Sequence, residues 1–173
     1  LLLCWDEHST RQIIKLILGD KKRQKRQILL CVTDDMSNPF ADNVDVSFAR
    51  LRTFSDKKEL DRVGISKAKR IIVDGKSDDE TLSIALSIAT FADQDANISA
   101  HFFDKTKAQL LKMHCPRIEC SIDNSAKMMV RSMQDPGSSQ VTEQLLSTLT
   151  GATLYCFQTP HLERSIDFGT LFH

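Results

Sequence analysis

The stretch LLLCWDEHSTRQIIKLILG, residues 1–19, contains the pattern that decides the fold. Its first five residues form an apolar run typical of a buried β-strand. The apolar positions that follow fall on one face of a helix: Ile13, Ile14, Ile17 and Leu18. Ser9 or Thr10 can cap the start of this helix, and Gly19 is a typical C-terminal stop. We therefore predict a strand followed by a helix, the first half of a βαβ unit.

The same alternation continues outward along the chain. Short apolar runs predict five further strands, at residues 28–33, 46–51, 70–73, 98–103 and 118–121. Helices are predicted between most of them, at residues 56–64, 78–91 and 105–114. Residues 34–45 are polar and include Asn38-Pro39, which predicts a loop. Two more helices are predicted at residues 125–133 and 140–149, before a new strand at 152–158.

This order of elements predicts an α/β fold with a Rossmann-like, doubly wound, mostly parallel sheet and helices on both faces. Residues 1–137 form the Rossmann-like part, residues 138–151 a crossover helix, and residues 152–173 the incomplete start of a small C-terminal subdomain. Because the first strand has no lead-in, we expect further polypeptide before Leu1.

The composition narrows the class of function. Hydrophobic residues make up 41% and charged residues 27% of the 173 residues, as in an ordinary globular protein. Lys plus Arg and Asp plus Glu are both 23, so the net charge is zero, which argues against a nucleic-acid partner. The cysteines are odd in number, at 5, which favours a reducing compartment. No apolar run is long enough to span a membrane.

The turn after the first strand lacks the glycines of a dinucleotide site. Cys4, Asp6 and Ser9 occupy the three positions where G-x-G-x-x-G would place glycine. A Cβ in a left-handed turn costs roughly 1–2 kcal/mol. A carboxylate about 4 Å from a phosphate could add roughly 4 kcal/mol of repulsion at an effective dielectric of 20. Both effects disfavour NAD.

A ligand can still occupy the cleft outside the carboxyl ends of the strands. The candidate ligand-binding residues lie at strand ends: Trp5, Asp6, Glu7, Ser9, Asp34, Asp35 and Asp74. Five of these seven are acidic, so a cation or an aminated ligand is easier to place there than a phosphate. Solvated turn carboxylates are the alternative for Asp34 and Asp35.

Motifs for catalysis and for metal binding are missing. The sequence has no G-x-S-x-G, no H-E-x-x-H and no P-loop. His114, Cys115 and Cys120 lack the spacing of a zinc site. We therefore predict no catalytic residues, no metal ligands and no enzymatic activity.

Five segments, taken in order, resemble the RCK domain (regulator of K⁺ conductance) of prokaryotic potassium channels and the related TrkA-N-like regulators. They are CWDEHS at 4–9, ELDRVGI at 59–65, AKRIIVD at 68–74, KSDDET at 76–81 and SAKMMVRSM at 125–133. The calcium-gated archaeal members carry acidic ligands where this chain has Thr53, Ala100 and Phe102, so that calcium site is not expected here.

The resemblance implies a cytoplasmic regulatory domain that transmits a ligand- or assembly-dependent change of shape to a potassium-selective membrane pore. It implies homo-oligomers, as dimers or a ring, with the pore on the same polypeptide and the domain at the cytoplasmic face of the cell membrane. Subunit contact is the role that it implies for Met128, Met129 and Met133, for which helix packing is the alternative. A soluble Trk-type K⁺ uptake subunit and a Rossmann oxidoreductase are the other functions considered.

Overall fold

The computed structural model describes residues 1–3, 5–20, 27–147 and 149. The strands are β1 (Leu2–Leu3), β2 (Ile28–Val32), β3 (Val46–Arg50), β4 (Arg70–Val73), β5 (Asn97–Phe102) and β6 (Ile118–Ile122). The α-helices are α1 (Glu7–Gly19), α2 (Lys57–Arg62), α3 (Asp78–Phe91), α4 (Lys105–His114), α5 (Ser125–Gln134) and α6 (Ser138–Leu146). A 3₁₀ turn at Ile65–Lys67 precedes β4.

The six strands form one sheet in the order β3-β2-β1-β4-β5-β6, and every pairing is parallel. Chain order reverses between β1 and β4, because the sheet grows from β1 to one side and then from β4 to the other. This is the doubly wound Rossmann arrangement, with its topological switch point between β1 and β4. The predicted fold class is confirmed.

Helices cover both faces of the sheet, with α1 on one face and α2, α3 and α4 on the other. On one face, α1 packs over β1, β2 and β3, where Ile14 joins Leu2 and Leu30 in a buried cluster. On the other face lie α2, α3 and α4, whose buried residues Leu60, Ile88 and Leu111 belong to the larger core cluster. Parallel strands need this cover because both of their faces must leave water.

On the face of the sheet where α1 packs, the described helices cover only half of the width. One row of side chains, set by the strand register, crosses this face in the order Phe48, Leu30, Leu2, Ile72, Ser99 and Glu119. The row is apolar under α1 and turns polar beyond Ile72, where Ser99 is half-buried and Glu119 is exposed. Among the residues that the structure describes, no helix packs on this side of β5 and β6.

Several predicted bounds differ by a residue or two, and β1 is shorter than predicted, at Leu2–Leu3 rather than residues 1–5. The starts of two helices are also wrong. The helix α1 does not use Ser9 or Thr10 as its cap; it starts at Glu7, because Asp6 has extended backbone angles and its carboxylate accepts from the Ser9 amide. The last helix starts at Ser138 rather than at residue 140, directly after Gly137, whose φ of 95° only glycine adopts readily. The spacing of apolar residues predicted later starts. The local backbone at Asp6 and at Gly137 instead sets where each helix begins.

The end of the described chain is less buried than the sheet. Neither α5 nor α6 contributes a buried residue, and the two helices contact each other. The predicted subdomain at 152–173 lies outside the described residues, so the proposed domain division stays a prediction. In the described part of the chain, no helix has the length and hydropathy needed to cross a membrane.

Candidate functional site

The predicted site residues lie at the carboxyl edge of the sheet, which is the edge where the strands end. The turn after β1 supplies Asp6 and Ser9, the turn after β2 supplies Asp34 and Asp35, and the turn after β4 supplies Asp74. Since β2, β1 and β4 are adjacent, these turns surround the switch point, and the fold brings the predicted residues to one place.

The first turn is held by reciprocal hydrogen bonds. The Ser9 amide donates to Asp6 Oδ1 at 2.8 Å, and the Asp6 amide donates to the Thr10 hydroxyl at 3.1 Å. Asp6 therefore serves as the helix cap, and its carboxylate occupies the Ser9 amide, one of the groups that could hold a phosphate at the start of α1.

Trp5 and Glu7 are tied to the same arginine. The Arg11 guanidinium lies 3.5 Å from the Glu7 carboxylate and 6.0 Å from the centre of the Trp5 ring. Trp5 also meets Phe40, from the loop after β2, edge to face at a centroid distance of 6.1 Å. Trp5 is thus fixed by aromatic packing as well as by its place beside the switch point.

A chain of hydrogen bonds joins α1, β4 and β5. The Ser9 hydroxyl donates to Asp74 Oδ2 at 2.9 Å, and His101 Nδ1 lies 3.1 Å from Asp74 Oδ1. The Asp74 side chain is only 18% exposed, so it relies on these two partners to stay satisfied. The serine contacts the carboxylate rather than the imidazole, so the arrangement is not that of a Ser-His-Asp triad.

An ion pair spans the switch point. Asp34, after β2, contacts Lys76, after β4, and the strand between them is β1. The contact therefore passes above the end of β1, where a Rossmann ligand enters. We name the Asp34–Lys76 pair the switch-point latch. Its neighbour Asp35 contacts Arg50 at the end of β3.

Side chains at the start of α3 bond to the backbone of the turn before it. The Glu80 amide donates to the hydroxyl of the cap Ser77, and Glu80 Oε2 accepts from the Lys76 amide at 2.7 Å. The Gly75 amide donates to the Thr81 hydroxyl at 2.8 Å. A Cβ on Gly75 would come within 2.6 Å of the Thr81 nitrogen, so only glycine fits this turn.

Glu59 makes a second charged cluster at this edge. Its carboxylate accepts from the Arg52 amide and from Arg62, and the hydrogen bond from Arg52 is the main reason that its pKa is lowered. Arg62 also donates to the Arg50 carbonyl at 2.6 Å. The network clamps α2 onto the end of β3.

The acidic residues are less free than the sequence indicated. Glu7, Asp34 and Asp35 each contact a basic side chain, and Asp74 contacts His101. Sequence reasoning missed these partners, namely Arg11, Lys76, Arg50 and His101. Only Arg11 carried a signal, its spacing of four from Glu7 on a predicted helix. Among the described residues, no group of three or more His, Cys, Asp or Glu could hold a metal ion.

The opposite edge of the sheet carries an open concavity. It lies at the amino ends of the strands, has a volume of about 990 Å³, and includes Gln27, Lys67, Arg70, Asn97 and Ser99 in its lining. Sequence reasoning did not predict this feature, because it follows from the bare half of the α1 face.

The methionines predicted at an interface lie on α5. Met129 is 73% exposed and Met133 is 75% exposed, while Met128 is half-buried. Val130 on the same helix and Val141 on α6 are exposed as well. Within the described chain, these apolar side chains have no cover.

Comparisons with known proteins bear on the fold. No family model matches the sequence, and no curated protein matches it. Among solved structures, 18 chains match. One is the GsuK channel bound to NAD, at 16% sequence identity and a TM-score of 0.50, over 68% of this chain and 20% of that chain. The shared fold is the parallel-sheet, Rossmann-like α/β fold that the sequence predicts. The chain spans about a fifth of the length of the channel chain that it matches.

Proposed function

We propose that this chain is the cytoplasmic regulatory domain of a potassium channel, which passes a ligand- or assembly-dependent change of shape to a membrane pore. The structural match to a channel over 68% of the chain is the observation that carries the proposal. The ordered RCK-like segments in the sequence support it independently. We propose a mechanical rather than a catalytic role, which is supported by the contact of Ser9 with Asp74 instead of with the imidazole of His101, unlike a Ser-His-Asp triad.

The ligand of this domain binds at the switch point and acts on the latch. An incoming cation competes with Lys76 for Asp34, and an incoming anion competes with Asp34 for Lys76. The pair is partly exposed, at 54% for Lys76 and 37% for Asp34, so the contact is weak enough for a ligand to replace. Loss of the latch disconnects the turn after β2 from the turn after β4. A cation or an aminated ligand is the occupant that we favour, because the Asp6 carboxylate already occupies the Ser9 amide at the start of α1 and would repel a phosphate there.

The domain assembles through α5 and α6. Exposed apolar side chains at Met129, Met133 and Val141 are costly in water, and a second subunit would remove them from it. Methionine suits such a surface because its side chain adapts to its partner. The upstream pore then belongs to the same polypeptide.

The reading frame upstream of Leu1 tests the channel assignment. Two to six apolar spans of about 20 residues each support a channel subunit. An intact start without spans instead supports a soluble Trk-type regulatory subunit and overturns the channel proposal.

Calorimetry tests the ligand class. The chain is titrated with calcium, sodium, NAD and ATP, beside an Asp34→Asn variant and a Lys57→Gln control from α2. A cation that binds the native chain and binds the Asp34 variant at least about tenfold more weakly supports the proposal. Tight NAD binding that is indifferent to Asp34 contradicts it and favours a nucleotide-binding Rossmann protein.

A further inference from the structure

The amino-edge concavity combines an apolar floor with positive charge at its rim. Ile17 of α1 and Ile72 of β4 are half-buried and line it from within. Lys67, Lys69 and Arg70 line it from one side and are exposed. Its volume of about 990 Å³ lies at the upper end of the range of about 300–1,000 Å³ typical of small-molecule sites.

The three basic side chains of the rim are unpaired within the part of the chain that the structure describes. Among the described residues, none of Lys67, Lys69 and Arg70 has a side-chain hydrogen bond or an ion pair. This differs from the carboxyl edge, where Lys76 and Arg50 each contact a carboxylate. Three adjacent unpaired cations repel one another, and an anion between them relieves that repulsion.

The other charged residues that line the concavity do not neutralise the positive charge of the rim. Arg117 donates to the carbonyls of Ala89 and Asp93 at the end of α3, so its guanidinium is engaged. Glu119 lies 3.7 Å from Lys112 of α4. Asp95 is the one lining carboxylate without such a partner in the described chain, and it leaves the rim with an excess of positive charge.

We propose that the amino-edge concavity binds an amphiphilic anion, a molecule with a phosphate or carboxylate group on an apolar body. The head group pairs with Lys67, Lys69 and Arg70, and the apolar body lies against Ile72 and Ile17, at the border between α1 and the bare part of the sheet. The site is separate from the switch point, since the two lie at opposite edges of the sheet, and it does not depend on the latch.

Calorimetry with decyl phosphate, kept below its micelle concentration, tests the proposal on the 173-residue chain. We expect saturable binding of decyl phosphate. Inorganic phosphate lacks the apolar body and decanol lacks the charged head group, so each should bind at least about tenfold more weakly. Shortening the chain lowers the affinity by at most about fourfold per methylene. No saturable binding of decyl phosphate, or equal binding of inorganic phosphate, overturns the proposal.

Two variants locate the binding. Lys67→Gln with Lys69→Gln and Arg70→Gln is expected to weaken decyl phosphate by about tenfold or more. The matched control, Lys57→Gln with Lys58→Gln and Lys105→Gln, removes the same charge at the carboxyl edge and leaves the affinity within about twofold.

A third variant and a vesicle experiment complete the test. Ser99→Phe keeps the charge but fills the floor beside Ile72, so it also weakens binding, and circular dichroism verifies that each variant is folded. Vesicles of phosphatidylglycerol and phosphatidylcholine separate a free ligand from a membrane. Binding to such vesicles without binding of monomeric decyl phosphate assigns the charge to a lipid surface and overturns the cavity site, as does a rim variant that binds like the native chain.

Discussion

The two edges of the sheet differ in how their charges are treated. At the carboxyl edge, Asp34, Asp35 and Glu59 all contact basic side chains, and the turns are closed by caps. At the amino edge, Lys67 and Lys69 have no partner among the described residues, and the surface is open. A ligand of these carboxylates must therefore break existing ion pairs, whereas a ligand of the amino-edge lysines breaks no contact among the described residues.

The largest effect on stability is expected from a substitution of Gly75, at the carboxyl edge. Gly75→Ala forces a Cβ to within 2.6 Å of the Thr81 nitrogen, and strained packing of this kind costs about 1–3 kcal/mol of unfolding free energy. Urea denaturation measures the loss. A stability equal to that of the native chain would show that the turn before α3 is looser than its contacts indicate.

Gly64, which lines the concavity at the amino edge, is the position to compare with Gly75. It has nothing within 4 Å of its missing Cβ but a φ of 70°, so Gly64→Ala costs roughly 1–2 kcal/mol through backbone strain alone. Asparagine tolerates this backbone, so Gly64→Asn recovers part of that loss while Gly75→Asn recovers none. Recovery at Gly75 instead would contradict a steric cause there.

A smaller effect, dependent on pH, is expected at Glu59. The pKa of Glu59 is lowered below its ordinary value of 4.5, mainly by the hydrogen bond from the Arg52 amide. The stabilisation is therefore present above pH 4.5 and is lost as the pH falls through the lowered pKa. Thermal melts of the native chain and of Glu59→Gln should differ at pH 7 and converge in acid. A constant difference at all pH values would exclude ionisation as the cause.

The switch-point latch contributes less to stability than to binding. Asp34→Asn should lower the unfolding free energy by about 0.2–1 kcal/mol, as is usual for an exposed ion pair, and the loss should shrink in high salt. A double-mutant cycle with Lys76→Gln measures the coupling between the two side chains. A coupling of zero would mean that the latch does not connect the two turns.

The smallest effect on stability is expected from the basic residues at the amino edge. Lys67→Gln, Lys69→Gln and Arg70→Gln together should change the unfolding free energy by less than about 0.5 kcal/mol, because no described contact is lost. A slight gain is the expected sign, since mutual repulsion is removed. A loss above about 1 kcal/mol would show that these side chains have structural partners.

Much of the fold could be predicted from local patterns. The bounds of β4 at Arg70–Val73 and of α3 at Asp78–Phe91 match the prediction, because an apolar run and an acidic first turn are both short-range signals. The position of the candidate site residues could be predicted in part, and their role in ligand binding stays a prediction. Asp6, Asp34 and Asp74 were recognised as residues that end strands and meet at one edge. Their roles as a cap, a latch and a bridge to His101 were not, because their partners lie on other elements.

The sequence by itself determined the kind and order of the elements, and with them the doubly wound sheet, since periodicity and caps act within a few residues. Only the tertiary structure decided how charge is distributed over that sheet. Lys76 is 42 residues from Asp34, and His101 is 27 residues from Asp74. Such pairs form because parallel strands bring distant turns to one edge. The half of the sheet that α1 leaves bare has the same origin, in where the helices pack.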